Sequence, residues 1–131
     1  MAILDTDILV GLLKGVPEAF EVIKSLEAKG SQLSTTIVTV YELVKGAYLS
    51  SKPEENLAKV KESLSSLQVL DLSVQACDEA AKIYRDLRKK GCFIGEFDIL
   101  IAAIVNANEE ALVSRDAHFD LLFRGTKLIK W

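Results

Sequence analysis

Four carboxylates spread along a chain of 131 residues, Asp5, Glu42, Asp98 and Asp116, have the strongest claim to chemistry. Asp5 ends a short apolar run, Ala2 to Leu4, and Glu42 is the lone charge within Ile37 to Val44. Asp98 stands at the start of the apolar segment FDILIAAIVNA, and Asp116 follows the run Ala111 to Val113 by a few residues. Gathered at one place, four acids would repel and raise one another's pKa unless a cation sat among them. Oxygen donors without a His or Cys cluster suit Mg2+ or Mn2+ rather than zinc. Such ions activate water, orient a phosphate and stabilise charge on a leaving oxygen. Each acid alone also has a plainer role: Asp5 or Asp98 as a helix N-cap, Asp116 in a turn, Glu42 facing solvent. Only the set points to catalysis.

The set needs a scaffold, and the hydrophobic pattern supplies one. Ala2 to Leu4 reads as a strand running straight into a helix through Ile8, Leu9, Leu12 and Leu13 that stops at Lys14–Gly15. Pro17 opens a second helix closed by Lys29–Gly30, and Gln32 to Ser34 reads as a brief strand. Thr36 to Leu49 is apolar almost all round, which predicts a buried helix. Pro53 starts a further helix, Gln68 to Leu72 reads as a strand, and Ser73 caps a helix with Ala76, Ala80, Ile83, Tyr84 and Leu87 on one face. After the helix FDILIAAIVNA, the segments Ala111 to Val113 and Lys127 to Ile129 complete the strands. Short apolar strands alternating with helices predict an α/β fold, a mainly parallel sheet with helices on both faces. Ligands of such sheets bind beyond the carboxyl ends of the strands, where Asp5 and Asp116 fall.

The length suits one domain with one sizeable core. The chain carries neither an apolar stretch long enough for a membrane span nor a signal-like start, which implies a cytoplasmic protein. Cys77 and Cys92 form no CxxC pair and read as small buried hydrophobes. A net charge of −3 argues against broad electrostatic adhesion to nucleic acid, so any such contact must be local.

Three segments together resemble the PIN-domain family: ILDTDILVGLL with the first Asp, TTIVTVYELVKGA with the Glu, and IGEFDILIAAIVNANEEALVSRDAHFDLL with the remaining acids and a terminal SxDxxF. The resemblance implies a PIN-like nuclease domain over residues 1–131 that hydrolyses RNA with a metal-activated water. Mg2+ or Mn2+ would be held by Asp5, Glu42, Asp98 and Asp116. In size the chain is similar to a VapC-type toxin of a toxin–antitoxin pair, which implies a small antitoxin protein as partner. Half the residues are hydrophobic, which predicts apolar faces covered by a second copy, a homodimer.

Thr6, Asp7, Glu96 and Ser114 stand beside these ligands as supporting residues; Thr6 and Ser114 would hydrogen-bond a ligand carboxylate or a phosphate, and ordinary turn roles fit them equally well. His118, the sole histidine, reads as a surface or supporting residue. Lys45 and Arg115 are close enough to the acids to meet an RNA backbone, whereas Arg85, Arg88, Lys89 and Lys90 read first as a solvated helix end. Three other readings compete. Asp5-Thr6-Asp7 imitates the DxD of haloacid-dehalogenase-type phosphatases, although no later GDxxxD follows, and Asp71 is a poor receiver-type acceptor. A PIN fold kept as a non-catalytic binding module is opposed by the intact acids.

Overall fold

The computed structural model describes residues 1–123 and 127–131. In chain order they form β1 (Ala2–Leu4), α1 (Thr6–Leu13), α2 (Pro17–Ala28), β2 (Leu33–Thr36), α3 (Ile37–Leu49), α4 (Pro53–Leu64), β3 (Gln68–Leu70), α5 (Val74–Lys89), α6 (Glu96–Ala107), β4 (Ala111–Val113), α7 (His118–Leu122) and β5 (Leu128–Ile129). The strands make one parallel sheet in the order β3-β2-β1-β4-β5. The chain steps outward from β1 to β3, then returns across the sheet to β4 on the other side of β1. The crevice between the ends of β1 and β4 is therefore the switch point, the usual ligand position in an open α/β sheet.

Period-two alternation divides the core. Ile3 and Leu112 point to a cluster containing Ile101, Ile104 and Phe119, built by α5, α6 and α7. Ala2, Leu4 and Val113 point to the opposite cluster with Ile8, Leu9, Leu26, Leu43 and Val60, from α1 to α4. Both faces of the central strands are covered, which is why β1 and β4 are apolar runs and not alternating ones. Full burial of each large aliphatic side chain contributes about 1.5–3 kcal/mol.

Local signals fix the helix ends. Pro17 and Pro53 sit at N1 of α2 and α4, where a missing N–H costs nothing. Thr36 caps α3 by accepting from Thr39 N at 3.1 Å, and Ser73 caps α5 by accepting from Ala76 N at 3.1 Å. Gly91 ends α5 at φ +68, a left-handed conformation that glycine adopts without a Cβ penalty.

Several boundaries and burials differ from expectation. β2 runs two residues past Ser34, because Thr35 and Thr36 still pair with β1 and β3. β3 stops at Leu70, and Lys127 lies outside β5. α3 is not buried all round: α4 and α1 cover one side and α6 another, leaving Tyr41, Tyr48 and Leu49 exposed. Cys77 is exposed and Cys92 half-buried, both as free thiols; α5 turns Ala76 and Ala80 to the core and Cys77 outward. The helix α7 was not expected, since five residues carry too little periodicity to register.

Candidate active site

Asp5 leaves the carboxyl end of β1 and is only 5% exposed. It occupies the N-cap position of α1 but makes no side-chain cap bond there. Its carboxylate instead turns across the crevice, where Ser114 Oγ, at the end of β4, lies 2.7 Å from Asp5 Oδ2. Burial pushes the Asp5 carboxyl up to about 7; the Ser114 bond lowers it, the charge of Asp7 raises it, a backbone bond from Thr6 lowers it, and the charge of Asp98 raises it least. Burial, more than repulsion among acids, is thus the main cost of ionising Asp5.

Asp7 faces the same loop. Its Oδ2 accepts from Arg115 N at 2.8 Å and lies 3.0 Å from Ser114 Oγ, while Oδ1 accepts from Trp131 Nε1 at 2.9 Å. Ser114 Oγ also accepts from Asp116 N at 3.1 Å. Asp7 and Ser114 together fix the loop that carries Asp116. The Arg115 guanidinium lies flat on the Trp131 ring, 3.3 Å from its centre.

Asp98 is the third helical residue of α6, not its cap, because Gly95 occupies the cap position. Placed there, its charge meets the positive end of the helix. Burial raises its pKa first of all; the His118 hydrogen bond lowers it, and the Asp116 charge raises it. His118 Nδ1 stands 3.2 Å from Asp98 Oδ2 and 3.5 Å from Asp116 Oδ1. One ligand atom from each of Asp98, Asp116 and His118 can be chosen so that all lie within 4.8 Å of one another, a spacing that fits one metal ion. The turn role of Asp116 is real as well, since its Oδ1 accepts from His118 N at 2.9 Å and so starts α7.

Glu42 reaches the site from α3. Thr6 Oγ1 lies 2.8 Å from Glu42 Oε1 and 3.1 Å from Thr39 Oγ1, which ties α3 to the start of α1. Glu42 and Asp98 line one open cavity of about 460 Å3 together with Gly95, Glu96 and Phe97. Glu96 is exposed and hydrogen-bonds none of the other acids among the described residues. Lys45 stands over Tyr41 and Phe97 at the rim.

The sheet edge therefore gathers Asp5, Asp7, Asp98 and Asp116, with Glu42 across the cavity. His118 lies between Asp98 and Asp116, the supporting position read for it in the sequence. Sequence reasoning gave Trp131 no role, and nothing in a terminal tryptophan marks a bond to Asp7.

The chain matches the PIN domain family over residues 2–122. It is 34% identical over 113 residues to Ribonuclease VapC2 of Haemophilus influenzae, covering 86% of this chain and 84% of that protein. It is 29% identical over 128 residues to the tRNA(fMet)-specific endonuclease VapC of Salmonella typhimurium, covering 98% and 96%. It is also similar to a chain in the crystal structure of VapBC2 from Rickettsia felis bound to a DNA fragment from its promoter, with a TM-score of 0.88, 27% identity and coverage of 99% and 98%.

Proposed function

The chain belongs to the PIN-domain family, and from that premise we propose that it is a metal-dependent endoribonuclease acting as the toxin of a VapBC-type pair. The observation that carries this reading is a buried carboxylate, Asp5, held at the switch point beside Asp7, Asp98 and Asp116. An uncompensated charge at that depth is costly, and a divalent cation relieves it.

Asp5, Glu42, Asp98 and Asp116 would hold Mg2+ or Mn2+; the donors are mainly oxygen, which suits these hard ions. When bound, the ion supplies Lewis acidity and a water of lowered pKa. The chain's own residues do the positioning. Ser114 orients Asp5 and anchors the backbone of Asp116; Thr6 orients Glu42; Arg115 and Lys45 stand at the rim, where RNA phosphates would approach. The DxD phosphatase reading is not favoured: Asp7, which would have to act as its free acid, already accepts from Arg115 N and Trp131 Nε1.

The partner follows from the same charges. An antitoxin segment offering Arg or Lys to Asp98 and Asp116 would satisfy them and block metal or phosphate. A groove of about 430 Å3 between α1, α3 and α4 runs up to Thr6 and Glu42 and would seat its apolar part. Exposed Tyr48 and Leu49 give a second copy an apolar face to cover, which supports a homodimer. No helix among the described residues is long and apolar enough to cross a membrane, consistent with the cytoplasmic site this function requires.

The test is incubation of structured RNA and, separately, a phosphomonoester with the protein in Mn2+ and in chelator. Cleavage of RNA only, with metal only, and its loss in Glu42→Gln, is the expected result. Turnover of the monoester with RNA intact would overturn the assignment. Co-expression with a small antitoxin encoded beside this chain should relieve toxicity by forming a stable complex.

A further inference from the structure

Some cations of the chain are engaged by carboxylates and a few lie against aromatic rings. Lys52, Lys59, Lys82, Arg85 and Lys130 each pair with a carboxylate. Lys45 instead sits 5.2 Å from the ring centres of both Tyr41 and Phe97, and those rings meet edge to face at 5.6 Å. Arg88 donates from Nε and Nη2 to the Tyr84 hydroxyl at 3.0 and 2.6 Å, and its guanidinium lies 5.6 Å from the Phe93 ring centre. Neither cation forms an ion pair among the described residues. A cation resting on a ring keeps its whole charge for an incoming anion, whereas one paired with a carboxylate must first give up that partner.

These two clusters join. Gly95 and Glu96 line both the cavity of about 230 Å3 bounded by Tyr84, Arg88 and Phe93, and the open cavity bounded by Glu42, Phe97 and Asp98. Rings and cations thus border one strip that passes Gly95 and Glu96 and ends at the carboxylates. Its rings are accessible: Phe93 is 77% and Tyr41 53% exposed. Ring faces and cations together are the chemistry that holds unpaired nucleotides, bases by stacking and phosphates by charge. Duplex RNA offers no free base faces to such a surface.

We propose that the strip from Tyr84, Arg88 and Phe93 to Phe97, Tyr41 and Lys45 is a track for single-stranded RNA, which delivers the chain to the carboxylates. The proposal rests on the ribonuclease reading above and adds where and in what form the substrate lies. It also reconciles the net charge of −3 with a nucleic-acid substrate, because contact is confined to one strip.

The test is fluorescence anisotropy of a labelled oligouridine of about 12 nucleotides and of a duplex of equal length, with the wild type in chelator so that nothing is cut. Phe93→Ala and Tyr41→Ala each weaken single-strand binding by roughly tenfold at unchanged salt dependence. Arg88→Gln lowers the salt slope by about 0.7, the share of one phosphate. In Mn2+, the same variants raise KM on long RNA and leave kcat in place. If the wild type cuts RNA and the variants match it in both affinity and KM, the track is wrong and the ribonuclease reading stands. If the variants instead turn a dimer into a monomer with RNA affinity unchanged, the strip is a contact between copies and the track is again wrong. A wild type that cuts no RNA removes both.

Discussion

Ser114 Oγ and Asp5 Oδ2, 109 positions apart in sequence, lie 2.7 Å apart at the adjoining ends of two parallel strands. The bond follows from topology: β1 and β4 pair in register, so the residues after Leu4 and Val113 emerge side by side. A hydroxyl that is fully buried is thereby made to face a carboxylate that is almost so. The stability of the sheet and the poise of the site share this pair.

The first prediction is a pH dependence of stability in the metal-free protein. Asp5 is raised from 3.8 to about 7 in the folded chain, so folding favours its protonated form. Its contribution is complete below about pH 4 and is lost as pH rises through about 7. Asp5→Asn removes that loss and is more stable than wild type at pH 8, by on the order of 4 kcal/mol at most. Urea melts in chelator from pH 4.5 to 8.5 measure it; parallel curves for the two proteins would refute it.

Ser114→Ala removes a bond that lowers the Asp5 pKa and strips Asp116 N of its acceptor. The Asp5 carboxyl then titrates still higher, so Mn2+ binding weakens more at pH 6 than at pH 8. Folding stability falls by about 1–3 kcal/mol in metal-free buffer at low pH, the cost of buried groups left without partners. Calorimetry at the two pH values checks this, and an equal loss of affinity at both would count against it.

His118 bridges Asp98 and Asp116, and its bond holds the Asp98 carboxyl down. On the proposed carboxylate ligand set, the imidazole orients these acids and is not itself a ligand. His118→Ala should therefore reduce Mn2+ affinity by about tenfold, whereas Asp98→Asn abolishes it. Equal losses from the two substitutions would make His118 a ligand in its own right.

Two helical glycines should respond with opposite signs. A Cβ on Gly11 would stand 2.8 Å from Trp131 Cη2 and 3.2 Å from Ala19 Cβ, so Gly11→Ala destabilises by about 1–3 kcal/mol through overpacking. A Cβ on Gly46, in α3, meets nothing within 4 Å, and Gly46→Ala stabilises by about 0.5–1 kcal/mol through lost backbone entropy in the unfolded chain. Thermal melts of both variants decide the pair, and a stabilising Gly11→Ala would show that Trp131 can move aside.

Asp5, Asp98 and Asp116 were legible because each stands near an element boundary, which the parallel sheet gathers at one edge, and Glu42 because it is the lone charge inside an apolar helix. Asp98 shows the limit of that reasoning. An Asp ahead of an apolar run looks like a cap, yet Gly95 and Glu96 start α6 earlier, because a polar first turn carries no hydrophobic period. Cys77 shows another limit: a residue type that prefers burial was outvoted by the helical phase of Ala76 and Ala80. Residues joined only in three dimensions, Asp7 with Trp131 and Lys45 with Tyr41 and Phe97, leave no one-dimensional trace.

Trp131 is the only tryptophan of the chain. Its indole N–H is held by Asp7 and its face is covered by the Arg115 guanidinium, both within the loop network that carries Asp116. Its ultraviolet emission is therefore a native optical probe of that loop, with no label required. A ligand that draws Arg115 off the ring or reorients Asp7 changes the colour and yield of that light, and a stopped-flow trace would time the event.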